Sequence, residues 1–173
     1  MATVVISLGS NVGDRLKNLQ AAGQALSAFL KNLKISSVYE TAPMYLVSQP
    51  LFLNAAAIGE TTEGPLSLLR RLKTTEMELG RQSGMRYGPR EIDLDLIAYG
   101  VAKYVFVKDG ETLLSVPHPR VVERRFVIEP LHELNPHLLL PGLGAVDELL
   151  KATADQASSV RKISDALLPV LRA

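Results

Sequence analysis

The chain has no cysteine, so neither a disulfide framework nor a thiolate zinc site can be part of it. It also has no excess of either charge. Lys and Arg number 19 against 18 Asp and Glu, a formal net charge of +1, which argues against a general nucleic-acid or membrane-surface binder and makes any basic site local. No apolar run approaches the roughly 18 residues that would suggest a membrane span. The start, Met1-Ala2-Thr3-Val4-Val5-Ile6, lacks the basic region, long apolar stretch and cleavage site of a signal peptide. A soluble, cytoplasmic protein that binds neither nucleic acid nor membrane is therefore expected. The length of 173 residues suits one domain, 1–173, with a full core. There is no internal repeat and no low-complexity segment.

What the chain does have is the stretch from Gly80 to Ile97, a basic, glycine-rich loop feeding a short strand. A strand sends alternate side chains to opposite faces, so Asp93 and Asp95 share a face with Cα atoms roughly 6–7 Å apart, while Ile92, Leu94 and Leu96 point into a core. Carboxylates this close repel, and Mg²⁺ with phosphate oxygens and water is a usual remedy. Arg81, Arg86 and Arg90 alternate with Gly80, Gly84 and Gly88, which reads as a lid that brings positive charge down over a nucleotide. A solvent-exposed basic loop is the plainer reading of the arginines taken alone.

Along the rest of the chain, Val4 to Leu8 reads as a buried first strand closed by Gly9-Ser10-Asn11, a shaped turn lining a pocket rather than a P-loop. Asp14 is a helix N-cap, and Leu16, Leu19, Gly23, Leu26 and Leu30 predict an amphipathic helix over 14–31. Strands are predicted at Ile35 to Tyr39 and Phe52 to Ile58, with an irregular loop between them. A second helix starts at Gly64-Pro65 with Leu66, Leu69, Leu72 and Leu79 as its apolar face; Lys73 and Glu76 on one edge read best as a solvated i, i+3 pair. Lys108-Asp109-Gly110-Glu111 signals a hairpin between Tyr104 to Val107 and Leu113 to Val116. Beyond Pro117-His118-Pro119 come one helical turn at Val121 to Arg125, an apolar segment at Phe126 to Leu131, a short helix at Asp147 to Lys151, a late strand at Val160 to Ile163, and a helix or tail from Ser164 to Arg172. The order predicts an α/β (α+β) protein with a ferredoxin-like βαββαβ core plus a C-terminal extension. Its antiparallel sheet carries two helices on one face and leaves the other free for a site.

Paired aspartates, arginines and remote aromatic and polar groups are joined most simply by phosphoryl-type transfer. His118 with Arg120, Arg124 and Arg125 suggests a second anion contact, and Phe52 and Asn54 with the distant Phe126 could sandwich a flat heterocycle and read its edge. A metal-dependent phosphatase or nuclease would use the same aspartates on water. A nucleotide-sensing module would bind without turnover.

Gly9-Ser10-Asn11, Tyr39-x-Thr41, Phe52-x-Asn54, Gly80-Arg81, Gly88-Pro89-Arg90-x-Ile92-Asp93-Leu94-Asp95, and Pro117-His118 with Arg124 and Phe126 resemble the 6-hydroxymethyl-7,8-dihydropterin pyrophosphokinases over residues 4 to about 140. The resemblance implies an enzyme of folate biosynthesis that moves a pyrophosphoryl group from ATP to the pterin hydroxymethyl and releases AMP; a monomer is expected. It places two Mg²⁺ ions on Asp93 and Asp95, and charge neutralisation on Arg81 and Arg90. Leu69, Lys73, Glu76, Tyr87, Leu96, Ser115, His118 and Arg124 join those arginines around ATP. The pterin falls to Thr41, Ala42, Met44, Phe52, Asn54, Asp93 and Phe126. Tyr87 stands where many members of the family have tryptophan, Leu113 where some have arginine, and the loop between Arg81 and Arg86 is one residue shorter than in some relatives.

Overall fold

The computed structural model describes residues 1–45, 48–81 and 86–164. Apolar β-branched residues open the chain as β1 (Ala2–Ser10), and the Asp14 carboxylate accepts from the Lys17 amide at 3.1 Å to start α1 (Arg15–Ser27). The helix stops short of the expected residue 31. Leu30 is nevertheless buried, because it packs where Gly59 leaves room for it; a Cβ on that glycine would lie 3.2 Å from the Leu30 Cβ. Apolar spacing thus ran on past the helix for a tertiary reason.

The single strand expected at Ile35 to Tyr39 is two, β2 (Lys31–Ile35) and β3 (Val38–Thr41), both on the same edge of β4 (Phe52–Thr61). Between them Ser36 exchanges two bonds with Ala56, donating its N–H to the Ala56 carbonyl and accepting the Ala56 N–H on its Oγ, both at 2.9 Å. The serines satisfy the ladder with a side chain where the backbone breaks step. Pro65 occupies the first turn of α2 (Pro65–Glu78), which leads to β5 (Asp93–Tyr99). The hairpin of β6 (Tyr104–Lys108) and β7 (Glu111–Val116) turns at Asp109 and Gly110, whose φ values of 52° and 80° are those of a type I′ turn. The apolar segment after Arg124 is a helix, α3 (Arg125–Leu134), followed by the short pair β8 (Leu139–Leu140) and β9 (Gly144–Ala145), α4 (Val146–Ala152) and β10 (Val160–Ser164). The expected terminal helix or tail lies, beyond Ser164, outside the described residues.

The sheet runs β10-β3-β4-β1-β5, antiparallel throughout. As expected, α1 and α2 cover one face, burying Leu19, Leu26, Leu68 and Leu72 against Ile6, Leu8, Leu94 and Leu96. The stripe of α2 centres on Leu68 and Leu72; Leu66, Leu69 and Leu79 flank it half-buried. The other face is not free, which corrects the sequence reading. Val5, Ala56 and Ile97 pack there beneath Val127, Ile128 and Leu131 of α3 and Val146 and Leu149 of α4. Alternation makes this one face change character along its length. Val5, Ala56 and Ile97 are apolar and covered, whereas Ser7, Gly9, Asn54, Asp93 and Asp95, two or four residues along the same strands, form the uncovered polar end.

One carboxylate ties α3 to the sheet edge. Glu133 accepts from Ser37 N–H at 2.9 Å, Ser37 Oγ at 2.8 Å and Tyr39 Oη at 2.6 Å, with Lys162 of β10 at 3.9 Å. Burial works against its charge, but the bonds from Tyr39 and Ser37 hold its carboxyl below the usual range, so the stability it contributes is present above that range and is lost as pH falls through the lowered value. Glu133→Ala is expected to cost about 2 kcal/mol, the worth of hydrogen bonds to a charged group. Urea unfolding at pH 7 checks this, and an unchanged midpoint would contradict it.

Candidate active site

The floor of the site is set by strand register. Gly9 lies opposite both Asp93 of β5 and Asn54 of β4, and Ser7 opposite Asp95, so three strands present their polar residues side by side. Gly9 is required here: a Cβ would meet the Asn54 side-chain oxygen at 2.9 Å. Asp93 accepts on Oδ1 from Arg81 Nη1 and Arg90 Nη1, both at 2.9 Å. Burial pushes this carboxyl up, but Arg90, Lys73 and Arg81 outweigh it and hold it below its ordinary range. Asp95 is pushed up to about 6 by burial and by the neighbouring Asp93 charge. The two carboxylates are adjacent and repel, as the sequence spacing anticipates, and the repulsion falls on Asp95.

Behind them stands Glu76, which is buried rather than solvated. It accepts from the Leu94 N–H at 2.6 Å and Lys73 Nζ at 3.0 Å on Oε1, and from Arg81 Nη1 on Oε2. Lys73 also donates to the Leu94 carbonyl at 3.2 Å and lies 3.8 Å from Asp95 Oδ1. The expected i, i+3 pair of Lys73 and Glu76 forms, but Glu76 is not solvated, because α2 packs directly on β5 and brings an edge position of the helix over a strand backbone whose free N–H needs an acceptor.

A cleft of about 320 Å³ opens above this floor. Phe52, Phe126, Thr41, Ala42 and Met44 line it beside Asn54, whose Nδ2 donates to Thr41 Oγ1 at 2.6 Å. Thr41 thereby takes one amide proton and sets the carboxamide's orientation, with its oxygen over Gly9. On the far side are His118, Arg120 and Arg124. Burial, then the charges of Arg124 and Arg120, push His118 down to about 4, so the imidazole is neutral near pH 7. Its Nδ1 accepts from the Arg120 N–H at 3.2 Å, which assigns the proton to Nε2 and makes the ring a hydrogen-bond donor to the cleft. Arg124 is 8 % exposed, donates from Nε to Tyr45 Oη at 3.1 Å, and sits over the Tyr45 and Phe126 rings at 5.4 and 5.8 Å. Arg120 lies over Tyr45 at 4.3 Å and donates to Tyr87 Oη.

Thr41, Ala42, Met44, Phe52, Asn54, Tyr87, Arg90, Asp93, Asp95, His118, Arg124 and Phe126 thus come together from stretches of chain far apart in sequence. Arg81, Lys73 and Glu76 adjoin the aspartates from α2 and its C-terminal end without lining the cleft. Leu69 and Ser115 are half-buried outside its lining, and Leu96 is 3 % exposed with its side chain in the α1/α2 core, so only its backbone can face a ligand. Arg125 does not join the arginines after His118; it bonds Glu129 at 2.7 Å and the carbonyls of Leu150 and Thr153, closing the end of α4. Ser7, Gly9, Tyr45, Gln49 and Arg86 also line the cleft. Alternation from Gly9 could have found Ser7. Nothing in an irregular loop singles out Tyr45 or Gln49. The part of the expected lid at Gln82 to Met85 lies outside the described residues, as do Leu46 and Val47.

Among the described residues no three His, Cys, Asp or Glu side chains cluster as a metal site. Asp93 and Asp95 are two carboxylate oxygen donors side by side at the base of the cleft, a set that fits Mg²⁺ when substrate phosphates and water supply the other ligands.

A model of the 7,8-dihydro-6-hydroxymethylpterin-pyrophosphokinase family matches residues 5–136. The chain is 40 % identical over 141 residues to the 2-amino-4-hydroxy-6-hydroxymethyldihydropteridine pyrophosphokinase of Aquifex aeolicus, covering 82 % of this chain and 85 % of that protein. It is 48 % identical over 132 residues to the mitochondrial folate synthesis bifunctional protein of Pisum sativum; this is 76 % of the chain but only 25 % of the pea protein, so the chain spans about a quarter of that longer relative. In fold it is similar to the wild-type HPPK-DHPS of Plasmodium falciparum, with a TM-score of 0.76 at 13 % identity over 94 % of this chain and 48 % of that one.

Proposed function

Since the chain belongs to the 7,8-dihydro-6-hydroxymethylpterin-pyrophosphokinase family, we propose that it transfers the terminal pyrophosphoryl group of ATP to the hydroxymethyl oxygen of 6-hydroxymethyl-7,8-dihydropterin, in folate biosynthesis. The bond from the α,β-bridging oxygen to the β-phosphorus breaks, the bond from the pterin oxygen to that phosphorus forms, AMP leaves with the bridging oxygen, and the hydroxyl proton is released. The observation that carries this reading is the placing of a carboxylate pair, an aromatic pair with a carboxamide, and several arginines around one cleft of about 320 Å³. That volume suits a flat bicyclic ring with phosphates extending to the rim.

The chain's own groups divide the work. Phe52 and Phe126 hold the pterin ring between them, and Asn54, oriented by Thr41, reads its hydrogen-bonding edge; Ala42 and Met44 complete that wall. Asp93 and Asp95 would hold two Mg²⁺ ions, which when bound supply charge to the phosphate oxygens and acidity to the pterin hydroxyl. Arg81 and Arg90, both held beside Asp93 at 2.9 Å, would neutralise charge on the phosphate oxygens of the transferred group. Neutral His118 donates from Nε2, and Arg124 adds its charge from the opposite wall. Lys73 and Glu76 border the ATP side beside Asp95, with Tyr87 at the rim; Leu69, Ser115 and the backbone of Leu96 extend that border. The reading is of a single domain over 1–173, a cytoplasmic monomer that needs neither membrane nor nucleic acid. The balanced charge supports the lack of a general nucleic-acid or membrane-surface role.

The nucleotide product tests the proposal. With ATP and Mg²⁺ the protein is expected to form AMP only when the pterin is present. ADP as the product, or ATP hydrolysis independent of the pterin, would overturn it.

A further inference from the structure

Ser7 lies on the floor of the cleft, directly across the β1–β5 ladder from Asp95. It is 7 % exposed, and among the described residues its hydroxyl has no hydrogen-bond partner. The other buried serines and threonines of the described residues all have one. Ser10 accepts from Asn18, Ser36 and Ser37 bond Ala56 and Glu133, and the threonines are satisfied in the same way. The strand gives no packing reason for the exception. Val5, two residues earlier on the same face, is apolar and buried, and Ala56, opposite Ser7 on β4, is apolar too. An alanine or valine would fit such surroundings, whereas a hydroxyl taken out of water without a bond lowers stability.

Asp95 is in the matching condition. Among the described residues its carboxylate accepts no hydrogen bond; Lys73 Nζ stands 3.8 Å away and gives its bonds to Glu76 and the Leu94 carbonyl. Asp93, by contrast, is held by both Arg81 and Arg90. The floor thus has one carboxylate oriented by two donors, one oriented by none, and an uncommitted donor opposite the second. Residues facing each other across an antiparallel pair have Cβ atoms roughly 4.5–5.5 Å apart, a separation that a serine and an aspartate close by rotation of their side chains. A carboxylate that carries a cation on one oxygen benefits from a hydrogen bond on the other, because the bond fixes the plane of the group and keeps the first oxygen aimed.

We infer that Ser7 is a positioning residue of the cation seat: its hydroxyl donates to Asp95 and holds that carboxylate toward a divalent cation, as Arg81 and Arg90 hold Asp93. The inference rests on the function proposed above, in which Asp93 and Asp95 carry the cations.

The test reads the cation itself, with Mn²⁺ in place of Mg²⁺. Mn²⁺ is titrated into the full chain carrying the α,β-methylene analogue of ATP, and the free ion is followed by its electron paramagnetic resonance signal, with the analogue alone as the blank. Ser7→Ala is expected to weaken Mn²⁺ binding about tenfold, the usual loss when a group that holds a metal ligand is removed. Ser7→Thr keeps the hydroxyl and should restore most of the affinity. In steady-state assays the Mg²⁺ concentration for half-maximal rate should rise in Ser7→Ala by the same factor, with a much smaller fall in kcat at saturating Mg²⁺. A hydroxyl that only fills space would move the thermal midpoint and leave Mn²⁺ affinity unchanged, and that result overturns the inference. Equal loss of affinity in Ser7→Thr and Ser7→Ala also overturns it. If Ser7→Ala fails to fold, Ser7→Cys, whose thiol is a weak donor, decides the matter by the same criterion. An unsubstituted chain that takes up no Mn²⁺ removes the inference together with the cation seat, while formation of AMP from ATP and the pterin reports separately on the proposed transfer.

Discussion

Replacing Asp95 with alanine is expected to lower turnover about a thousandfold while leaving the fold intact. The magnitude follows from the several kcal/mol that metal-held charge contributes to phosphoryl transfer, each 1.4 kcal/mol being a factor of ten. The fold should survive because Asp95 sits on the polar, uncovered end of the sheet face, while its neighbours Leu94 and Leu96 hold β5 to the core from the opposite side. There is also a stability consequence with a definite sign. The carboxyl of Asp95 is raised to about 6 by burial and by Asp93, so its contribution is favourable below the ordinary carboxylate range and is lost as pH rises through about 6. At pH 8 and without metal, the ionised group is a liability. Asp95→Ala should then unfold at a temperature equal to or above that of the unsubstituted protein. Steady-state rates and thermal melts in chelator test the two halves separately, and near-normal turnover would contradict the metal assignment.

Arg90→Ala is expected to reduce kcat about a hundredfold, the cost of removing one donor aimed at developing charge, with pterin affinity changed by no more than about threefold. The geometry explains the separation. The guanidinium reaches Asp93 at 2.9 Å, but the backbone of Arg90 makes its own bonds to Asn11, and these survive the truncation. The segment leading into β5 therefore keeps its position while the charge is lost. Steady-state kinetics with direct pterin titration measures both quantities. A fall in pterin affinity with unchanged kcat would move Arg90 out of the phosphate site.

The sequence carried the floor of this site well because the relevant signal is local. Two-residue periodicity alone places Asp93 and Asp95 on one face and Ile92, Leu94 and Leu96 on the other, and that is how they lie. The Asp109-Gly110 turn, the Asp14 cap and Pro65 at the start of α2 were legible for the same reason, since each follows from the conformational preference of one or two residues. What was not legible depends on contacts between distant segments. Glu76 reads as a solvated helix residue until α2 is laid against β5, where it becomes a buried acceptor for the Leu94 N–H. The second sheet face reads as free until α3 folds back over Val5, Ala56 and Ile97; the apolar run from Phe126 to Leu131 did not by itself reveal a helix, let alone the surface it covers. Ser36 and Ser37 look like ordinary strand residues, yet one breaks the strand by bonding Ala56 and the other anchors Glu133. Tyr45 and Gln49 had no sequence signal because an irregular loop has no period from which to predict direction. The specific motifs fared better than any of these, because a run such as Gly88-Pro89-Arg90 ahead of Ile92-Asp93-Leu94-Asp95 encodes the loop and its strand together.

The central claim is that one cleft brings a pterin and the phosphates of ATP together over the Asp93–Asp95 pair for transfer of two phosphoryl groups at once. The mass of the pterin after incubation with ATP and Mg²⁺ tests it most directly. The account predicts a single product heavier than the substrate by two phosphoryl groups, formed in equal amount with AMP. A pterin carrying one phosphoryl group, or one recovered unchanged while ATP is consumed, would contradict it.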